Sequence, residues 1–132
     1  LILKDWYDRL RFVNVCPEGE LEIPSNKLYP FEIDIIYNKG IDFDKGCFVG
    51  QEVIARVKYK GSVKKKYLSF RINSSSTIDN VNIHDIQKKI VGSLIHNSKI
   101  NDDIFGFGLV RIEYIKKQLE LFCENFKLST LN

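Results

Sequence analysis

The chain has 132 residues, a formal net charge of +3 and hydrophobic residues at 44% of its positions. The hydrophobic share is typical of a folded protein and excludes a largely disordered chain, while the charge is too small to indicate nucleic-acid binding by itself. No apolar run is long enough to span a bilayer, and the first residues do not resemble a signal peptide. We therefore expect a soluble intracellular protein with no membrane partner.

The first half of the chain predicts two helices separated by irregular segments. A helix over residues 3–13 is predicted by apolar residues spaced three and four positions apart: Leu3, Trp6, Leu10 and Val13. Residues 16–30 contain all three prolines and predict a loop, with residues 20–23 extended. Residues 51–56 predict the start of a short helix, and the alternation in residues 57–60 then predicts a strand.

The second half of the chain predicts a sheet. Segments 63–72, 89–96, 106–114 and 118–126 are rich in β-branched or aromatic residues. Predicted turns lie between them at Asn97-Ser98, Asn101-Asp102-Asp103 and Lys116-Lys117. Strands at this spacing indicate a small antiparallel sheet that closes as a barrel. We therefore predict an α+β fold in which an N-terminal helix and a loop precede a small antiparallel β-barrel.

The most informative segment is Lys45-Gly46-Cys47-Phe48-Val49-Gly50-Gln51-Glu52, which places one thiol between two flexible glycines. A helix start after it, together with Lys45, would favour the thiolate of Cys47, and Glu52 would oppose it. We interpret Cys47 as a reactive thiol in preference to a small buried residue of a glycine turn. Cys16 and Cys123 are interpreted as core residues, and the three cysteines form no C-x-x-C unit that would indicate zinc.

Lys45 to Glu52, followed by Arg56, resembles the K-G-C-[YF]-x-G-Q-E-x-x-x-R signature of the YgfZ family, the folate-binding-fold proteins that help mature iron-sulfur proteins in bacteria and mitochondria. Residues 7–11, 17–19 and 30–32 also resemble that family, so the resemblance covers the first half of the chain well and the second half by pattern. Members are more than twice as long and end in a β-barrel. The resemblance thus implies a carboxy-terminal portion, and the start at Leu1 with no methionine in the sequence leads us to expect a chain that is not an intact translation product.

The resemblance further implies a division of the chain and a role for the motif. Residues 1–61 would be the tail of a GcvT-like folate-binding domain, and residues 62–132 the carboxy-terminal barrel. The chain would act in iron-sulfur cluster assembly or repair as an assembly factor rather than a transferase, with tRNA modification among the processes that depend on it. Cys47 would carry the chemistry or bind a cluster transiently, without a stably bound metal, and the surrounding motif would bind ligand through Lys45, Gly46, Phe48, Gly50, Gln51, Glu52 and Arg56.

Cofactor, partners and location follow from the same resemblance. Tetrahydrofolate would be a ligand held mainly by the half of the family fold that is not in this chain. The partners would be iron-sulfur assembly proteins or recipient proteins, in the bacterial cytoplasm or the mitochondrial matrix. A product of a split gene without activity is also consistent with the sequence.

Two other functions remain open. The first is a folate-dependent aminomethyl or one-carbon transferase fragment, although the loop of the related aminomethyltransferases lacks this cysteine. The second is an RNA-binding module that uses a run of cations interleaved with Tyr59 and Tyr67: Arg56, Lys58, Lys60, Lys64, Lys65 and Lys66. A solvated strand face accounts for that run more simply, since the rest of the chain is not basic. Arg56 differs from the lysines because its place in the motif predicts a fixed partner.

Neither glycine pattern indicates a phosphate-binding loop, and neither histidine indicates a metal. Gln51 follows Gly50 where a P-loop needs lysine and a hydroxyl. Gly106-Phe107-Gly108 lacks a third glycine and is interpreted as a bend in a barrel strand. His84 and His96 share no metal-ligand spacing with each other or with a cysteine, so they are interpreted as surface or strand-end residues.

Overall fold

Six strands and four helices follow one another along the chain in a computed structural model that describes residues 2–33, 40–46 and 49–131. The elements are α1 (Ile2–Val13), α2 (Gly19–Glu22), α3 (Glu52–Lys60), β1 (Lys65–Ile72), β2 (Asn82–His84), β3 (Ile90–Ile100), β4 (Asp103–Arg111), α4 (Ile112–Lys116), β5 (Leu121–Cys123) and β6 (Phe126–Thr130). The strands pair antiparallel and close into a barrel in the order β1-β4-β3-β2-β5-β6. The predicted α+β class with a small antiparallel barrel is confirmed.

Two predictions in the helical part are wrong. Residues 20–23 are not extended, because Glu22 folds back to accept a hydrogen bond from the Glu18 backbone N–H at 2.6 Å, which stabilises the start of α2. Residues 57–60 are not a strand but the last turn of α3, which Gly61 ends. Four alternating residues are too few to distinguish a strand from a helix whose apolar residues recur at helical spacing.

Three of the four strands predicted in the second half of the chain are present with shifted bounds, as β1, β3 and β4. Residues 118–126 form a short hairpin of β5 and β6 rather than one strand, and the turn between them includes Glu124 with φ +54°. The predicted turn at Asn97-Ser98 is wrong, since β3 continues to Ile100. The predicted turn at Asn101-Asp102-Asp103 is confirmed, because the chain reverses there between β3 and β4. Tyr114 lies in α4 rather than in a strand, and the three-residue β2 was not predicted because it is too short to show a period.

Strand β4 is buried on both faces, which explains its nearly continuous apolar sequence. One face, with Ile104 and Val110, belongs to the barrel interior, and the other packs under α1. Gly106 and Gly108 lie on the interior face, where a Cβ at Gly108 would come within 2.8 Å of Ile83 Cδ1. The G-x-G pattern therefore makes room inside the barrel, within a continuous strand rather than at a bend.

Helix α1 packs on the outside of the barrel through Phe12, which is fully buried and stacks on Phe107 with ring centroids 4.3 Å apart. The helix itself was predicted, and its bounds match. Its apolar stripe, however, does not face the barrel: Trp6 is 62% exposed and Leu3 is 81% exposed. No helix in the described part of the chain is long and apolar enough to cross a membrane.

A buried ion pair fixes α1 and α2 to the barrel. Arg11 donates to Glu22 at 2.6 Å and to Asp8 at 3.1 Å, and the Tyr67 hydroxyl of β1 donates to the Glu22 carbonyl at 2.5 Å. Burial would lower the pKa of Arg11, but its hydrogen bonds to Glu22 and Asp8 raise that pKa above the ordinary value. The guanidinium therefore stays charged, and removal of Arg11 would leave the buried Glu22 carboxylate without this ion pair.

Candidate functional site

The glycine-cysteine motif leads directly into α3. Lys45 and Gly46 are exposed before it, whereas Cys47 and Phe48 lie outside the described residues. Val49 and Gly50 are exposed again, Gln51 is the N-cap residue, and Glu52 begins the helix. The helix start predicted after the motif is thus confirmed at Glu52.

The two glycines of the motif differ in their backbone requirement. Gly50 has φ +93°, a conformation that residues with a side chain rarely adopt, so its flexibility is used in the turn before α3. Gly46 has no positive φ, and a Cβ placed on it would meet nothing within 4 Å. The prediction that glycine is needed for its backbone freedom is therefore confirmed at Gly50. At Gly46 neither the backbone angles nor the neighbouring atoms require glycine.

The N-terminus of α3 provides an electrostatic environment that suits an anion. Gln51, the N-cap residue, makes no side-chain capping hydrogen bond to the first turn of α3, and the dipole of a helix favours a negative group near its N-terminus. Glu52 places its own carboxylate in that first turn and competes for the same field. The lowered pKa expected for Cys47 is consistent with this arrangement and stays a prediction.

An aromatic contact holds the segment before the motif against α3. The Phe43 ring lies 6.5 Å from the Phe31 ring, and Lys58 Nζ of α3 lies 3.6 Å from the centre of the Phe43 ring. Arg56 is exposed one turn after the motif, and no ion pair joins it to a described residue. Its predicted fixed partner therefore stays a prediction.

The two described cysteines, Cys16 and Cys123, differ in burial. Cys123 is fully buried and its Sγ donates to the Asn80 carbonyl at 3.2 Å, which confirms its assignment to the core. Burial raises the pKa of Cys123 to about 11. Cys16 is only partly buried, with Sγ 3.6 Å from the Asn14 carbonyl, so its assignment to the core holds in part.

The described residues contain no group of three or more His, Cys, Asp and Glu side chains placed to hold a metal ion. The ring of His84 contacts two backbone carbonyls, those of Asp85 and Glu124. His96 approaches the buried carboxylate of Glu22 at 4.0 Å. Both histidines thus have contacts that belong to the fold.

The predicted run of cations is divided by the fold. Arg56 and Lys58 lie on α3, while Lys64 and Lys65 lie at the start of β1 and join cations that are distant in sequence. Lys64 and Lys65 line a cleft of about 530 Å³ together with Arg111, Ile112, Glu113 and Lys116. Sequence reasoning missed Arg111 because only the strand register places it opposite Lys65, and it missed Lys116 because α4, on which Lys116 lies, was not predicted.

These features define a small α+β protein in which helices pack on a closed six-stranded barrel and a cysteine-containing glycine motif precedes a short helix. No protein-family model matches the chain. It is 44% identical over 66 residues to the iron-sulfur cluster assembly factor IBA57 homolog, mitochondrial, of Yarrowia lipolytica, a match that covers 50% of this chain and 14% of the relative.

Mammalian proteins of the same description are also similar. The chain is 26% identical over 116 residues to the mouse iron-sulfur cluster assembly factor IBA57, mitochondrial, which covers 87% of this chain and 32% of that protein. It is 32% identical over 65 residues to the human protein, which covers 49% of this chain and 18% of the relative. The chain thus spans about a third or less of the length of these relatives.

Proposed function

We propose that this chain is the carboxy-terminal part of an iron-sulfur cluster assembly or repair factor of the YgfZ type, located in mitochondria. The observation that carries the proposal is the similarity to several proteins named as iron-sulfur cluster assembly factors, which in the mouse protein extends over 87% of the chain. The closed barrel after a helical segment supports it, because the family resemblance implies the same order. In this proposal residues 1–61 derive from a GcvT-like domain and residues 62–132 form the barrel domain.

Within that function, the Cys47 thiolate binds an iron of the cluster transiently. The N-terminus of α3 and Lys45 stabilise its thiolate, which is the form that binds iron. Gly50 provides the turn, while Gly46, Phe48, Gln51 and Glu52 complete the loop and Arg56 binds an anionic group. A cluster ordinarily needs four ligands, mostly thiolates, so one loop cysteine implies that an assembly or recipient partner supplies the others.

Folate is a separate proposal, and the described residues do not fit its pterin ring. A flat heterocycle is normally held by buried hydrogen-bonding groups that converge on it. None of the described clefts has a buried polar side chain in its lining. We therefore assign no step to folate here and propose that any folate site depends on other segments of the family fold.

A genetic experiment tests the role of Cys47. In cells that lack the protein, a gene encoding Cys47→Ser should fail to restore a cluster-dependent enzyme, whereas Cys16→Ser should restore it as well as the unaltered gene. Arg56→Ala should impair recovery less than Cys47→Ser, because it removes an anion contact and not the sulfur.

Melting curves of each variant separate loss of function from loss of fold. Cys47→Ala provides a second variant if Cys47→Ser unfolds the protein. Full recovery with folded Cys47→Ser would refute the proposal and favour folate-dependent transfer.

A further inference from the structure

The cation cleft at one end of the barrel contains a cross-strand pair of like charges. Lys65 of β1 and Arg111 of β4 are Cα partners in the antiparallel ladder. Like charges directly opposite each other destabilise a sheet. The backbone fixes this arrangement, since the Ile112 N–H donates to the Lys64 carbonyl at 2.9 Å and holds the two segments together.

Further cations surround this pair without compensating it. Lys64 and Lys116 line the same cleft, and Glu113 is its single carboxylate. Lys89 lies nearby: its Nζ is 5.7 Å from the centre of the Tyr114 ring, and its charge interacts with those of Glu113 and Arg111. Among the described residues, no carboxylate forms an ion pair with Lys64, Lys65, Arg111 or Lys116. The cleft therefore has a net positive charge that the described residues leave unneutralised.

A second cleft of about 360 Å³ adjoins the first and gives the surface an apolar part. The two clefts share Lys64 and Lys65, so the lysines form the boundary between them. The second cleft is lined further by aromatic and aliphatic side chains and by two polar ones: Tyr29, Phe31, Val57, Val63, Glu32 and Ser62. The surface thus combines a cationic region with an adjacent hydrophobic one.

We propose that this barrel-end surface, formed by the two clefts, binds an acidic segment of a partner protein. Carboxylates of the segment would neutralise Lys65 and Arg111, and a neighbouring apolar side chain would enter the second cleft. Each cleft also contains a carboxylate, Glu113 or Glu32. These would repel a nucleic-acid backbone, which is charged at every residue, more than a peptide, which has neutral positions. This role is independent of Cys47 and of cluster chemistry.

Fluorescence anisotropy with two labelled probes tests the proposal. One probe is a glutamate-rich peptide with a central leucine, and the other is a single-stranded oligouridylate of equal charge. We expect the peptide to bind more tightly than the oligouridylate, and its affinity to fall as salt rises. Tighter binding of the oligouridylate, or no binding of the peptide at low salt, would overturn the proposal.

Matched charge reversals locate the binding surface. Lys65→Glu should weaken peptide binding by on the order of tenfold, because it replaces an attraction by a repulsion at the centre of the surface. Lys99→Glu makes the same change at an exposed position of β3, near the opposite end of the β3–β4 ladder, and should leave affinity unchanged. Lys116→Glu, on α4, serves if Lys65→Glu does not fold. Equal effects of the cleft and control variants would show that only the overall charge matters and would refute the site.

Discussion

At the scale of single residues, the described thiols show how strongly burial controls cysteine chemistry in this fold. The thiolate is the reactive form, and a pKa of about 11 leaves very little of it at neutral pH. Cys123 is also fully buried and hydrogen-bonded through its Sγ. This residue is therefore an internal reference for an unreactive thiol.

We predict that Cys47 is alkylated first, Cys16 next and Cys123 last in the folded protein. The order follows from the helix start and Lys45 near Cys47, the partial burial of Cys16 and the raised pKa of Cys123. Mass mapping after brief iodoacetamide treatment measures it, and the same treatment in denaturant should label the three thiols at similar rates. Faster labelling of Cys16 or Cys123 than of Cys47 would contradict the proposed thiolate.

The pair Lys65 and Arg111 allows a prediction about stability. Lys65→Gln should raise the free energy of unfolding by about 0.2–1 kcal/mol, because it removes a like-charge contact across the ladder. Urea titration at low salt measures the gain, which should shrink as salt screens the remaining charges. Lys99→Gln is the control, with no expected change beyond about 0.5 kcal/mol. If Lys65→Gln lowers the free energy of unfolding, repulsion between Lys65 and Arg111 does not destabilise the native protein.

At the scale of elements, α1 shows what periodicity determines and what it does not. The spacing of Leu3, Trp6 and Leu10 correctly predicts a helix, because residues three and four apart share a face. It does not say which face meets the barrel. Phe12 makes that contact, since its ring reaches Phe105 and Phe107 of β4.

We predict that two aromatic residues of α1 differ sharply in their contribution to stability. Phe12→Ala should lower the free energy of unfolding by about 3–5 kcal/mol, because it opens a cavity between α1 and the barrel. Trp6→Ala should change it by about 0.5 kcal/mol or less, since that side chain is mostly exposed. Chemical denaturation followed by circular dichroism compares the two. Similar losses would mean that Trp6 is covered in solution.

At the scale of the whole molecule, composition and strand spacing were sufficient for the fold class but not for the surface of the barrel. Alternation within segments such as residues 63–72 predicts strands one at a time. Sequence alone gives no register, so it could not place Arg111 opposite Lys65, and a three-residue strand such as β2 has no detectable period. For the candidate site, the sequence contains the motif and predicts the helix that follows it. The difference in burial between Cys123 and Cys16 could not be predicted, because it depends on tertiary packing.

The same packing leads us to predict that the isolated chain binds tetrahydrofolate weakly or not at all. The described clefts lack buried polar side chains that could hold a pterin ring. Isothermal titration calorimetry at micromolar ligand should therefore give no saturable heat. Saturable micromolar binding would place the pocket within this chain and would support the transferase alternative.

The double burial of β4 also has a kinetic consequence, because a strand covered on both faces opens last. β4 pairs with β1 and β3 along nearly its full length, whereas β6 reaches β1 only at residues 70–72. Amide hydrogens of β4 should thus exchange with deuterated water only through global unfolding, while those of β6 exchange through local fraying. Slower exchange in β6 than in β4 would be inconsistent with this order. The barrel would then open at the β5–β6 hairpin, which is held by a two-pair ladder to β2 and a three-pair ladder to β1, without releasing the strand on which α1 rests.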